Sequence, residues 1–159
     1  MDVNKLWQNF ADTVQNHFMD FDGRVGRPQF WYFVLVNAVI SIGVSIVAGI
    51  TGLHVLDSLY SLGMLLPMLG MTARRLHDVG KPTSWVYILA IPFILEILLG
   101  FAAVAGMFFI GLAFLLAGLA TLISLLTLVA AIVIIYFCAQ PGDAGANQYG
   151  PVPPVFSPA

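Results

Sequence analysis

Arg74-Arg75-Leu76-His77-Asp78 stands between two apolar runs, Ser58 to Ala73 before it and Ser84 to Cys138 after it. Four of the five residues are ionisable, in a chain that is 60% hydrophobic and 9% charged. Ionisable side chains are costly in or near hydrocarbon, so they sit where water, headgroups or protein partners receive them. The stretch therefore marks a membrane surface, and the runs on either side of it are membrane segments. It is also the first candidate for a working site.

The rest of the composition agrees. A soluble domain is about 45–50% apolar, and this chain of 159 residues exceeds that share. The class is an integral membrane protein of one domain. The net charge of -2 implies no nucleic-acid partner. Distribution says more than the sum: Lys5, Arg24, Arg27, Arg74, Arg75 and Lys81 are all the Lys and Arg residues. The one cysteine, Cys138, permits no intrachain disulfide and reads as a packed thiol. The first apolar run begins near Phe30 without a small-residue cleavage site after it, so the spans are expected to act as their own insertion signals.

Residues 1–28 read as a cytoplasmic amphipathic helix and a turn. Over 4–21, Trp7, Phe10, Val14, Phe18 and Phe21 recur at helical steps, opposite Asn9, Asp12, Asn16 and Asp20. Such a helix lies in the membrane interface or packs on the ends of the bundle. Gly23 and Gly26 then break the chain, and Pro28 suits the first turn of the next helix. Four spans follow within 29–139, at about 30–50, 58–73, 84–104 and 115–138, each compared with the ~20 residues that cross a ~30 Å hydrocarbon core. Trp31 and Tyr32 sit where an aromatic belt anchors the first span. Pro67 falls inside the second, whose helix is expected to continue to Asp78 before Gly80 and Pro82 end it. A turn near 106–111 separates the last two. The Pro- and Gly-rich tail, 140–159, reads as irregular. The fold class is thus an all-α membrane bundle of four transmembrane helices plus an N-terminal interfacial amphipathic helix. Four spans put both termini and all six Lys and Arg on one side, which the positive-inside rule assigns to the cytoplasm.

On a helix, Arg74 reaches His77 and Asp78 at i+3 and i+4, and Arg75 reaches Asp78 at i+3. Either arginine can hold Asp78, leaving the other to grip a phosphate or carboxylate through its fork. Arg24 and Arg27 emerge on the same membrane face, so the four arginines suggest a basic pocket for anionic lipid or another anion. The alternative is a set of topological anchors with a structural ion pair. His77 and Asp78 are helix neighbours that do not face each other, so they make no acid–base pair. His17, His54 and His77 are too scattered for a metal site, and phosphate loops and nucleophile elbows are missing. No catalytic residue, metal or cofactor is expected.

Glu96 lies ~16 Å along the third span from Trp85, near the midplane. An acid there is a candidate proton site, or a protonated side chain bonded to Ser or Thr on another span.

Three motifs stand in order along the chain: Gly23-Arg24-x-x-Arg27-x-x-Phe30-Trp31; Arg74-Arg75-Leu76-His77-Asp78-Val79-Gly80-Lys81 followed by Trp85; and Pro141-Gly142-x-x-Gly145-x-Asn147-x-Tyr149-Gly150-Pro151-x-Pro153. Together they resemble the bacterial inner-membrane proteins grouped as domain-of-unknown-function family 805, the YhaH-like proteins. The resemblance implies a small helical membrane protein of the bacterial inner membrane and no activity. Asn147 and Tyr149 of the third motif join Arg24, Arg27, Arg74, Arg75, His77 and Asp78 as candidate binding residues. The expectation is a non-enzymatic membrane protein whose basic cytoplasmic face binds an anionic headgroup or a protein partner. Its partners are membrane lipids, a protein or a second copy of the chain. The second reading is an oligomeric small-solute or ion transporter that uses Glu96.

Overall fold

A computed structural model of the chain describes residues 3–105 and 110–154. Five helices follow in order: α1 (Val3–Asn16), α2 (Arg27–Thr51), α3 (Val55–Asp78), α4 (Ser84–Ala105) and α5 (Ile110–Ala139). Among the described residues the only extended pairing is one bridge between Asn147 and Gly150. The chain divides into two compact units: Met1–Thr83 with Gln140–Ala159, and Ser84–Ala139.

Three helices are long and apolar enough to cross a membrane: Arg27–Thr51, Val55–Asp78 and Gly111–Ala139. At 1.5 Å per residue the 24 residues of α3 span about 36 Å, against a hydrocarbon core of about 30 Å. In α4 the apolar stretch Ser84–Leu99 is shorter. The fourth expected span starts earlier than its apolar run suggests, at Ile110, and the described part of the expected 106–111 turn, Ile110 and Gly111, is helical. Residues 106–109 lie outside the described ones.

In the first unit α2 packs on α3, and α1 packs on both. Gly26 is extended before α2, Pro28 occupies the first turn, and Gly52 ends the helix at φ +75°, a conformation glycine adopts without strain. Two polar pairs tie α2 to α3: Tyr60 donates to Asn37 Oδ1 at 2.7 Å, and Ser45 Oγ donates to Asp57 Oδ1 at 2.7 Å. α3 runs unbroken through Pro67 to Asp78. Its burial is inverted relative to a soluble protein. Leu59, Leu62 and Leu66 are exposed, as lipid-facing side chains are, whereas every residue from Gly70 to Asp78 is buried.

α1 corrects the expectation in two ways. It stops at Asn16 rather than continuing to 21. The chain turns because the backbone of Asp20 must reach α3 at Gly70, where a Cβ would come within 2.8 Å of the Asp20 carbonyl oxygen. The buried face is also different: Leu6, Asn9, Phe10 and Thr13 turn inward. Asn9, expected on the polar side, donates from Nδ2 to Gln29 O at 3.1 Å. Trp7, Phe18 and the neighbouring Val3 and Met19 remain exposed. Phe10 joins the two environments, stacking on Trp7 at 5.7 Å and on Phe33 of α2 at 5.4 Å.

In the second unit α4 and α5 form a helical hairpin. Trp85 meets Phe137 edge-on at 5.1 Å, and Ser124 Oγ donates to Glu96 Oε1 at 3.0 Å.

Candidate functional site

An α-helix leaves its last carbonyls without intrahelical partners. At the end of α3 those carbonyls are capped partly by the turn that follows and partly by segments far away in sequence. Leu76 O accepts from Val79 N at 3.1 Å and Lys81 N at 2.9 Å, and Gly80, at φ +69°, turns the chain away. His77 O accepts from Gly80 N at 3.1 Å and from Asn147 Nδ2 at 2.9 Å. Asp78 O accepts from Asp143 N at 2.7 Å. One turn earlier, Arg74 O accepts from Val25 N at 3.1 Å. The first and third motifs therefore close over the second.

Asp78 is the centre of this knot. Its Oδ1 accepts from Arg24 Nε at 3.1 Å and Nη2 at 2.9 Å, and its Oδ2 accepts from Arg75 Nη1. Arg24 is a staple as well as a counter-ion. Its Nη1 donates to Gly145 O at 2.7 Å and to Gly150 O at 3.3 Å, and its Nη2 donates to Asp143 O at 2.8 Å. Arg75 adds a bond from Nη2 to Gln140 O. The side chains of Arg24, Arg75 and Asp78 are 1%, 0% and 5% exposed. Two cations and one anion, fully hydrogen-bonded, satisfy the condition under which buried charge is tolerated.

His77 is held on three sides. Nδ1 lies 3.0 Å from Gly23 O, which only accepts, so Nδ1 carries a proton. Nε2 lies 2.7 Å from Thr83 Oγ1, and in the neutral ring it accepts from that hydroxyl. The ring stacks on Tyr149 at 3.9 Å between centroids, only 2° from parallel. Asn147 organises the tail: its Oδ1 accepts from Tyr149 N at 2.9 Å, and its Nδ2 also donates to Asp143 Oδ2 at 2.7 Å.

Of the candidates, the structure unites Arg24, Arg75, His77, Asp78, Asn147 and Tyr149. Arg75, rather than Arg74, holds Asp78. Arg24 does not line an open basic pocket with Arg27; it is turned inward while Arg27 is exposed. Arg74 stands apart. Its side chain is 9% exposed, Nη1 is 4.0 Å from Asp20 Oδ2, and Nε and Nη2 have no hydrogen-bond partner among the described residues. Glu96 belongs to the other unit, on Ser124. Among the described residues no three His, Cys, Asp or Glu side chains group as metal ligands.

Gly142, Thr83, Asp143 and Val25 escaped the sequence reading as members of the site. Gly142 had a signal, because it follows Pro141 in the third motif. A Cβ there would run into the Asp78 carboxylate. Thr83 and Val25 carry no sequence signal of their own.

The family described as "Protein of unknown function (DUF805)" matches residues 18–151. The inner membrane protein YhaH of Escherichia coli (strain K12) is 25% identical over 146 residues, covering 88% of this chain and 92% of the relative. The inner membrane protein YhaI of the same organism is 34% identical over 84 residues, covering 52% of this chain and 71% of the relative. No solved structure matches. The three motifs of the resemblance are the three segments that meet at Asp78, and the chain belongs to this family of unknown function, whose relatives here are inner membrane proteins.

Proposed function

We propose that this is a non-enzymatic inner-membrane protein that crosses four times, with both termini cytoplasmic, and that its basic face binds an anionic headgroup through Arg74. The two buried donors of Arg74 that lack acceptors among the described residues carry the reading. A guanidinium taken out of water without partners is costly, and its fork matches two oxygens of a phosphate. Arg24 and Arg75 are committed to Asp78, so they shape the face rather than bind. α4 supplies the fourth crossing: the tail bonds to Arg24 and Arg75 at the end of α3, which supports an even number of crossings by residues 84–139. The exposed Trp7 on α1 and Phe18 just after it support an interfacial position for α1 beside that face.

The test is native mass spectrometry of the full chain with phosphatidylglycerol and phosphatidylcholine of equal chain length. Preferential retention of phosphatidylglycerol is expected. Arg74→Lys should weaken it despite the kept charge, and Asp20→Asn should strengthen it by removing the nearest competing carboxylate. Equal retention by the wild type and Arg74→Lys would reduce Arg74 to a topological anchor, and a co-purifying polypeptide lost on the same substitution would favour a protein partner. The transporter alternative rests on Glu96, which already has a hydrogen-bond donor in Ser124.

A further inference from the structure

A cleft of about 430 Å³ opens where the first half of α1 crosses the start of α2. Lys5, Gln8 and Asp12 form one wall, and Asn9 and Gln29 complete the lining. Lys5, Gln8 and Asp12 follow at steps of three and four, so they share a face of α1. The Asn9 amide is occupied by Gln29 O, which fixes the base of the cleft. Asp12 remains 56% exposed although Asn16 Nδ2 donates to its Oδ1 at 2.8 Å and His17 Nε2 lies 3.6 Å from its Oδ2.

The charge pattern selects the ligand. Lys5 offers an ammonium, and Asp12 a carboxylate that also attracts the Arg74 guanidinium, so a simple anion gains at Lys5 alone. A zwitterion laid along the helix gains at both. Seven residues of helix separate Lys5 from Asp12 by about 10 Å. That is the span of a phosphate and an ammonium joined by two carbons, with a hydrogen bond of about 3 Å at each end. A primary ammonium donates to Asp12, whereas a quaternary one has no N–H to give. The cleft also sits at the right depth: Gln29 precedes the apolar run of α2 by one residue, and the exposed Trp7 lies on α1 between Lys5 and Asp12.

We infer that the Lys5–Asp12 cleft is a binding site for the headgroup of phosphatidylethanolamine, with Lys5 on the phosphate, Asp12 on the ammonium and Gln8 and Gln29 on the remaining oxygens. This rests on the placement of α1 in the membrane interface.

Native mass spectrometry of the full chain with phosphatidylethanolamine and phosphatidylcholine of matched acyl chains tests it. The wild type should retain phosphatidylethanolamine in preference. Asp12→Asn and Lys5→Gln should each reduce that retention roughly tenfold or more, the loss of one hydrogen bond to a charged group, with phosphatidylcholine unaffected. Equal retention of the two lipids by the wild type, or an unchanged Asp12→Asn variant, overturns the site. Displacement of the bound lipid by equimolar glycerophosphoethanolamine overturns the lipid assignment in favour of a soluble phosphoamine. The placement of α1 is read separately, from the fluorescence difference between wild type and Trp7→Phe in vesicles with brominated acyl chains. A Trp7 signal that bromine leaves unquenched overturns the interfacial placement and the cleft with it. A quenched signal without lipid preference overturns the cleft alone.

Discussion

Asp78 holds a negative charge at the C-terminal end of a helix, where the helix dipole disfavours it. Two buried arginines reverse that penalty, and their dependence on Asp78 is mutual. Asp78→Asn leaves Arg24 and Arg75 buried without the carboxylate that balances their charge. Breaking a buried pair in this way costs about 3–5 kcal/mol, so the thermal midpoint in detergent should fall and the tail should become sensitive to limited proteolysis between residues 140 and 150. Arg24→Lys should act in the same direction. A lysine has three donors on one nitrogen and cannot reach Asp78, Asp143, Gly145 and Gly150 at once. Gly142→Ala is a sharper test because it alters no charge. The added methyl meets the Asp78 carboxylate and must push the tail away, a cost of roughly 1–3 kcal/mol. Proteolysis of the tail at unchanged rate in Gly142→Ala would contradict the close approach.

The elements differ in how much of them local pattern reveals. α2, α3 and α5 were legible because hydrophobic run length is itself the property that lets a helix cross a membrane, and α4 showed as a shorter apolar run. The Arg75–Asp78 pair was legible as well, since i and i+3 are neighbours on any helix. The end of α1 was not. Its apolar period continues to Phe21, but a contact with Gly70, 50 positions away, takes the chain out of the helix at Asn16. Arg24 and the tail were hidden for the same reason. Composition says that a Pro- and Gly-rich segment is irregular, and says nothing about which carbonyls it will cover. In the α4–α5 hairpin, Ser124 gives Glu96 a hydrogen-bond donor. Glu96→Gln should therefore leave the thermal midpoint within about 0.5–1.5 kcal/mol of wild type, the net worth of one hydrogen bond. If proton-driven uptake of any solute into vesicles is found and Gln abolishes it while the midpoint holds, the transporter reading gains the site.

At the scale of the whole molecule, the first unit is assembled from both ends of the chain, and the hairpin is inserted between them. Both ends of the insertion then lie on one membrane face when the hairpin crosses twice. Reporter fusions after Ala139 check this: a cytoplasm-active reporter should be on and a periplasm-active one off. The opposite result would mean that residues 84–139 cross an odd number of times.

That assembly also sets an order in time. The Asn147 cap on His77 comes from a segment 70 residues downstream. At a synthesis rate of about 5–20 residues per second, the end of α3 waits for several seconds before its cover exists. During that interval Arg24, Arg74 and Arg75 lack the cover of the tail, and on the proposed topology they would hold their side of the membrane while the spans are being inserted. Arg75 can pair with Asp78 as soon as α3 forms, whereas the bonds of Arg75 to Gln140 and of Arg24 to Asp143, Gly145 and Gly150 wait for the tail. On the four-span topology proposed above, Arg24 and Arg75 would serve first as a vectorial signal and later as a cap. A chain terminated after α5 would keep the first role and lose the second, ending as a correctly oriented protein with an exposed polar helix end that cellular quality control can recognise.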